Sequence, residues 1–228
     1  TEPDVNAEDK YGRPLLFWVA NGTIGATHVD LARRLLALGA DANAKDPQNK
    51  VTVLHCASIA RGPLASEMVR LLLLNGADVN ARTRLGGWTP MGYFPVYANS
   101  SYEGGTPRSD PLVTCKLLLH AGASIDDVIS PSGLHHLYPD PSMEAWLQKK
   151  VPATDEQWLA VKRLVADVRA AGGTYRAYLH EHRKQVLMLR CLATKGRATT
   201  TDPVMNFLVQ LGDNGVIWKV LSFWPPPP

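Results

Sequence analysis

Four stretches of the chain carry apolar residues at helical spacing: 31–38 (LARRLLAL), 67–74 (EMVRLLLL), 112–119 (LVTCKLLL) and 159–168 (LAVKRLVADV). Apolar positions three and four apart line one face of an α-helix. Each stretch runs into a glycine: Gly39, Gly76, Gly122 and Gly172. Glycine at such a point predicts a helix C-cap, because it enters the left-handed region without a Cβ penalty. Asp and Asn follow, residue types that suit a hairpin-like turn. The chain therefore reads as one unit repeated, at intervals of 37, 46 and 50 residues between the glycines.

Two phrases recur in each unit. The one around the glycine reads LGADANAKD at 38–46, NGADVNAR at 75–82, AGASIDD at 121–127 and, more faintly, AAGGTY at 170–175. The other precedes each amphipathic stretch: YGRPLLFWVA at 11–20, NKVTVLHCAS at 49–58, GGWTPMGYFP at 86–95 and PSGLHHLYP at 131–139. Taken in order, they resemble the ankyrin signature, a TPLH phrase followed by LLL-x-x-GAD-x-NA. The resemblance runs over residues 4–125 and thins over 126–175. It implies an all-α solenoid in which each repeat is a β-turn and two antiparallel helices. Thr-Pro opens a helix well, with an oxygen cap and proline in the first turn. Thr89-Pro90 keeps both residues, while the first unit has Pro14-Leu15 and the second Thr52-Val53. His55 and His135 hold the histidine position, from which the ring can reach backbone of a neighbouring turn; Phe17 and Gly92 replace it elsewhere.

The expected organisation is a tail of an earlier repeat at 1–8, repeats at 9–46 and 47–83, and a divergent repeat with a long insert at 84–127. A degenerate repeat at 128–174 and a helical C-terminal segment at 175–228, acting as a cap and ending in a proline tail, complete it. The first boundary rests on Asp4-Val5-Asn6-Ala7, which matches Asp41-Ala42-Asn43-Ala44 one 37-residue period later. Repeat arrays need polar end caps, so a fragment of a longer array is expected. Extra residues fall between the helices near Gly22–Gly25 and Arg61–Pro63, at 98–110, and at 139–157, where a short helix is expected. Such inserts often gather on one face. Beyond Gly173, helices are expected at 175–193, 203–211 and 216–224.

Composition narrows the function. The 228 residues are 45% hydrophobic and 20% charged, which is ordinary globular usage. A net charge of +3 makes no case for nucleic acid by itself. Cys56, Cys115 and Cys191 lie far apart with no CxxC pair, so buried structural thiols in a reducing compartment, cytoplasm or nucleus, are expected at all three. No apolar run is long enough to span a bilayer. His135-His136 and His180-Glu181-His182 lack metal-chelating spacing, and His28 and His120 stand alone. Without a nucleophile elbow, a phosphate loop or converging carboxylates, the expectation is a non-enzyme with no cofactor, no metal and no small-molecule substrate.

What remains is binding to another protein. In the ankyrin family, ligands contact the turn tips and the inner helices. Carried over position by position, that implies Lys10, Tyr11 and Arg13 in the first repeat and Gln48 and Asn49 in the second. Leu85, Trp88 and Tyr97 follow in the third, with Trp18 equally readable as core or contact. Two alternatives come from the C-terminal segment. Ile217, Trp218, Leu221 and Trp224 lie in a stretch that resembles the first helix of F-box-like segments, which implies docking to a ubiquitin ligase; the plainer reading is a cap. Residues 176–197 hold six lysine and arginine residues against Glu181. They could meet anionic lipid or nucleic acid, although their interleaving with an apolar stripe suits the solvated face of a capping helix.

Overall fold

The computed structural model describes residues 4–98, 110–126, 143–150 and 155–195. Among them every regular element is a helix: α1 (Leu15–Val19), α2 (Ala26–Ala37), α3 (Val53–Ile59), α4 (Ala65–Leu74), α5 (Pro90–Ala98), α6 (Pro111–His120), α7 (Met143–Lys150), α8 (Glu156–Ala170) and α9 (Tyr175–Thr194). The helices form two rows: α1, α3, α5 and α7 pack in sequence in one, and α2, α4, α6 and α8 in the other, with α9 laid against α8 and α6. This is the expected all-α repeat solenoid with a helical C-terminal region.

The four glycines end their helices alike. Gly39, Gly76, Gly122 and Gly172 all have positive φ, from 82° to 106°. The amide following each one donates to a carbonyl of the last helical turn: Ala40 to Leu35, Ala77 to Leu72, Ala123 to Leu118 and Gly173 to Val168, at 2.9–3.0 Å. That closure satisfies carbonyls that the helix itself leaves without partners. Even the faint fourth phrase closes its helix in this way.

The turns that follow are stitched together. The Asn43 side chain donates to the Gly76 carbonyl (3.0 Å) and accepts from the Asp78 amide (2.7 Å). Asn6 makes the same pair of bonds one step earlier, to the Gly39 carbonyl (3.3 Å) and from the Asp41 amide (3.0 Å). On the opposite edge, the inserts of the first two repeats meet: Thr23 and Arg61 form a parallel bridge. Ile24 N donates to the Arg61 carbonyl (2.7 Å) and Arg61 N to the Gly22 carbonyl (2.8 Å).

Between the rows lies one continuous apolar core in which Leu54, Met68, Leu72, Met91 and Leu118 are fully buried. Each such side chain contributes roughly 1.5–3 kcal/mol relative to exposure. Thr52 caps α3 with a reciprocal box: its Oγ1 accepts from the His55 amide (3.4 Å) and its own amide donates to His55 Nδ1 (3.2 Å). Asp110 and Asp155 cap α6 and α8 by side chain alone, accepting from Leu112 N and Trp158 N.

Three expectations change. The inner-row place beside α5 in the fourth unit is taken by α7, which the phrase spacing assigned to an insert. Met143, Trp146 and Leu147 give α7 an apolar face, with Trp146 against Trp158 and Phe94 stacked on Trp158. Cys191 is exposed on α9 rather than buried. Trp88 is core, as detailed below. The phrase at 131–139 with His135, most of the insert at 98–110, and the C-terminal positions Ile217, Trp218, Leu221 and Trp224 lie outside the described residues.

Candidate protein-binding face

The turn of the first repeat is organised by one carboxylate. Asp9 accepts from the amides of Tyr11 (2.8 Å) and Arg13 (3.0 Å), from the Arg13 guanidinium (3.1 and 3.3 Å) and from the Trp18 indole (3.1 Å). Desolvation by burial pulls the Asp9 pKa upward, but these hydrogen bonds outweigh it and hold the carboxyl below its ordinary value. Arg13 is thereby fixed between two rings, 4.2 Å from the Trp18 centroid and 4.6 Å from that of Tyr11. Lys10 covers Tyr11 at 4.9 Å. Tyr11 and Trp18 nevertheless stay 47% and 44% exposed. The cluster is rigid, aromatic and open to solvent, a combination that marks interface anchors.

Trp18, Cys56 and Tyr93 occupy the same place in successive units, the fourth residue after the capping positions Pro14, Thr52 and Thr89. Only Trp18 projects; Cys56 is buried and Tyr93 half-buried against the rings of His55 and Trp88. Burial pushes the Cys56 thiol up to about 12, with Asp46 adding to the shift and Arg13 opposing it. Burial does the same to Cys115, also to about 12. Burial thus disfavours the thiolate, the nucleophilic form, at both positions.

The second and third tips are joined to each other. The Asn49 carbonyl accepts from the Arg84 amide (2.6 Å), and the Gln48 carbonyl from the Arg84 guanidinium (3.4 Å). The Gln48 side chain stays exposed and Asn49 is half-buried, while Leu85 stands out into solvent. Trp88 does not. It is 4% exposed, its amide donates to Thr83 Oγ1 (3.0 Å), and its carbonyl accepts from the Thr83 amide (3.0 Å). Its indole lies over Gly86, where a Cβ would come within 3.2 Å of the ring. Trp88 fills the third hairpin and cannot also anchor a partner. Tyr97 falls in the last turn of α5, and its side chain lies outside the described residues.

Lys10, Tyr11, Arg13 and Trp18 are thus brought together by one turn and one helix. Sequence reasoning missed Asp9 as their organiser, and left Trp18 undecided, because the Asp9–Trp18 bond crosses from hairpin to helix. Three of the described histidines make local contacts: His28 Nδ1 accepts from the Gly25 amide (3.4 Å), His120 packs on Tyr175 and His182 on Tyr178. Among the described residues no group of His, Cys, Asp and Glu is placed to hold a metal ion. None of the described helices is long and apolar enough to cross a membrane. On α9, Tyr175 and Tyr178 pack onto the array, Arg176 is exposed and Lys184 pairs with Glu181 at 3.4 Å.

Paired helices in two rows, glycine-ended and linked by stitched turns, meet the comparison with known families. A family model for ankyrin repeats, in three copies, matches residues 1–100. Residues 1–100 form ankyrin repeats. No curated protein matches it. Ankyrin repeats are in general protein-interaction modules, so tips and inner helices are the surfaces to weigh. The same glycine-ended helix closures recur past residue 100, at Gly122 and Gly172.

Proposed function

We propose that this protein binds another protein through the face formed by its turn tips and inner helices, with the first repeat supplying the anchor. The observation that carries this reading is the exposed Tyr11–Arg13–Trp18 cluster held by Asp9. Pre-organised aromatic and arginine side chains lose little conformational entropy on binding, so more of their contact energy appears as affinity. Lys10, Gln48, Asn49 and Leu85 extend the same face. The work asked of it is recognition, without bond-making chemistry or a cofactor.

The test is affinity purification with the whole chain beside a Tyr11→Ala/Arg13→Ala/Trp18→Ala variant. The partners recovered with the parent should be lost with the variant, while its melting temperature stays within a few degrees. An unchanged set of co-purifying proteins would sink this placement of the site.

A further inference from the structure

The three hairpin tips form one continuous ledge. Pro47 of the second lies against Gly12 of the first, so closely that a Cβ on Gly12 would stand 2.8 Å from its ring. The Arg84 amide of the third donates to the Asn49 carbonyl of the second at 2.6 Å. Positive charge accumulates along this ledge. Residues 8–14 hold Glu8, Asp9, Lys10 and Arg13, which balance; residues 45–52 hold Lys45, Asp46 and Lys50; residues 82–88 hold Arg82 and Arg84 and no carboxylate. The inner helices beside the ledge, α1, α3 and α5, contain no Asp, Glu, Lys or Arg. Most carboxylates nearby are engaged locally. Asp9 holds Arg13 and Trp18, and Asp46 accepts from the Asn49 amide (3.0 Å). Asp41 and Asp78 accept from Asn43 N and Asn80 N in the turns that end the outer helices. Glu8 sits at the base of the first hairpin, at the end away from Arg84. Lys50 and Arg84 are exposed, and the Arg84 guanidinium donates to a neutral carbonyl, that of Gln48, at 3.4 Å.

Exposed aromatic surface is concentrated at the opposite end, in Tyr11 and Trp18. We infer that the partner contributes an extended acidic peptide, with an aromatic or aliphatic side chain against Tyr11 and Trp18 and its carboxylates over Lys50 and Arg84. This partner chemistry presupposes the binding face proposed above and adds what that face selects. Opposite charge across an interface fixes register and rejects wrong partners, and the arginine fork matches a carboxylate in two parallel bonds. Adjacent helices pack ~8–10 Å apart and an extended chain advances ~3.3 Å per residue, so about six residues reach from Trp18 to Arg84. A nucleic acid fits less well. Glu8 and Asp46 interrupt the cations, and they would repel a backbone charged at every unit. A peptide can place its charges one by one.

Selection from a random dodecapeptide phage library on the 228-residue chain tests it, with the enriched peptides synthesised for fluorescence anisotropy. The peptides recovered should combine several Asp or Glu with an aromatic or aliphatic residue. Their affinity should fall at least tenfold from low to high salt, and at least tenfold in a Lys50→Glu/Arg84→Glu variant whose melting temperature is unchanged. Where that double variant melts early, Lys50→Glu alone, at an exposed position, carries the comparison with a smaller loss. Peptides with no excess of acidic residues, affinity unmoved by the charge reversals, or a library that yields no binder each overturn the inference. So does an oligothymidylate that binds as tightly as the peptides. Trp18→Ala separates the two levels. Peptides that bind Trp18→Ala as they bind the parent count against the face itself. Peptides that lose affinity for Trp18→Ala but ignore the charge reversals leave the face standing and remove only its acidic partner.

Discussion

His55 Nε2 lies 2.9 Å from the carbonyl oxygen of Trp88, joining the inner helix of the second repeat to the hairpin of the third. A carbonyl only accepts, so Nε2 carries the proton; Nδ1 accepts from the Thr52 amide and hydroxyl. Both ring nitrogens are used by the neutral form. Burial lowers the His55 pKa to about 4, against weaker upward pulls from the Trp88 carbonyl and Asp78.

A pH dependence follows from that buried ring. The unfolded chain takes up the His55 proton near pH 6.5 and the folded chain only near pH 4. Stability from this group is therefore complete above the unfolded value and is lost as pH falls through this window, by on the order of 3 kcal/mol. Urea midpoints measured from pH 7 to pH 4 should show this loss, and His55→Gln should flatten the profile over the same range. A parent profile that is flat above pH 4 would refute the assignment.

The two tryptophans should separate folding from binding. Trp88→Ala empties the third hairpin and should cost about 3–5 kcal/mol in denaturant melts. Trp18→Ala removes an exposed ring and one surface hydrogen bond, and should cost about 1 kcal/mol or less. Its effect belongs in the partner titration instead, as an affinity loss of about 30-fold if it is a hot spot.

Asn43→Ala deletes both stitches between the first and second turns. A loss of about 1–2 kcal/mol is expected from equilibrium unfolding. Asn43→Asp keeps the acceptor for the Asp78 amide but turns a carboxylate toward the Gly76 carbonyl, so it should not restore stability.

Gly62→Ala probes the opposite edge. Gly62 has φ +94°, and a Cβ there would come within 2.9 Å of Ile24 N and nearer still to its carbonyl oxygen. The strained dihedral and the backbone clash together should cost about 2–4 kcal/mol in thermal or urea melts. Gly22→Ala, with a positive φ but open space around it, isolates the dihedral part and should cost less.

The helix ends were the most legible part of the sequence. Gly39, Gly76, Gly122 and Gly172 could be read directly because few other residues tolerate positive φ, and even the degraded phrase at 170–175 kept its glycine. Trp88 was misread because an aromatic in a hairpin looks like an anchor until Gly86 is seen to leave room for its ring. The inner-row role of α7 was hidden because phrase matching favoured the LHHLYP motif, whereas Met143, Trp146 and Leu147 carry no signature beyond their spacing. The Asp9 hub was out of reach for a different reason. Its partners sit two, four and nine residues away, and only the fold brings hairpin and helix together around it.

The first two repeats are fastened along both edges, by Asn43 on one side and the Thr23–Arg61 bridge on the other. A joint held along one edge can open like a hinge; one held along two resists both bending and peeling. These repeats should therefore open in hydrogen exchange as one cooperative block. In mechanical terms they form a stiff handle, with the cluster that presents Trp18 mounted at its end.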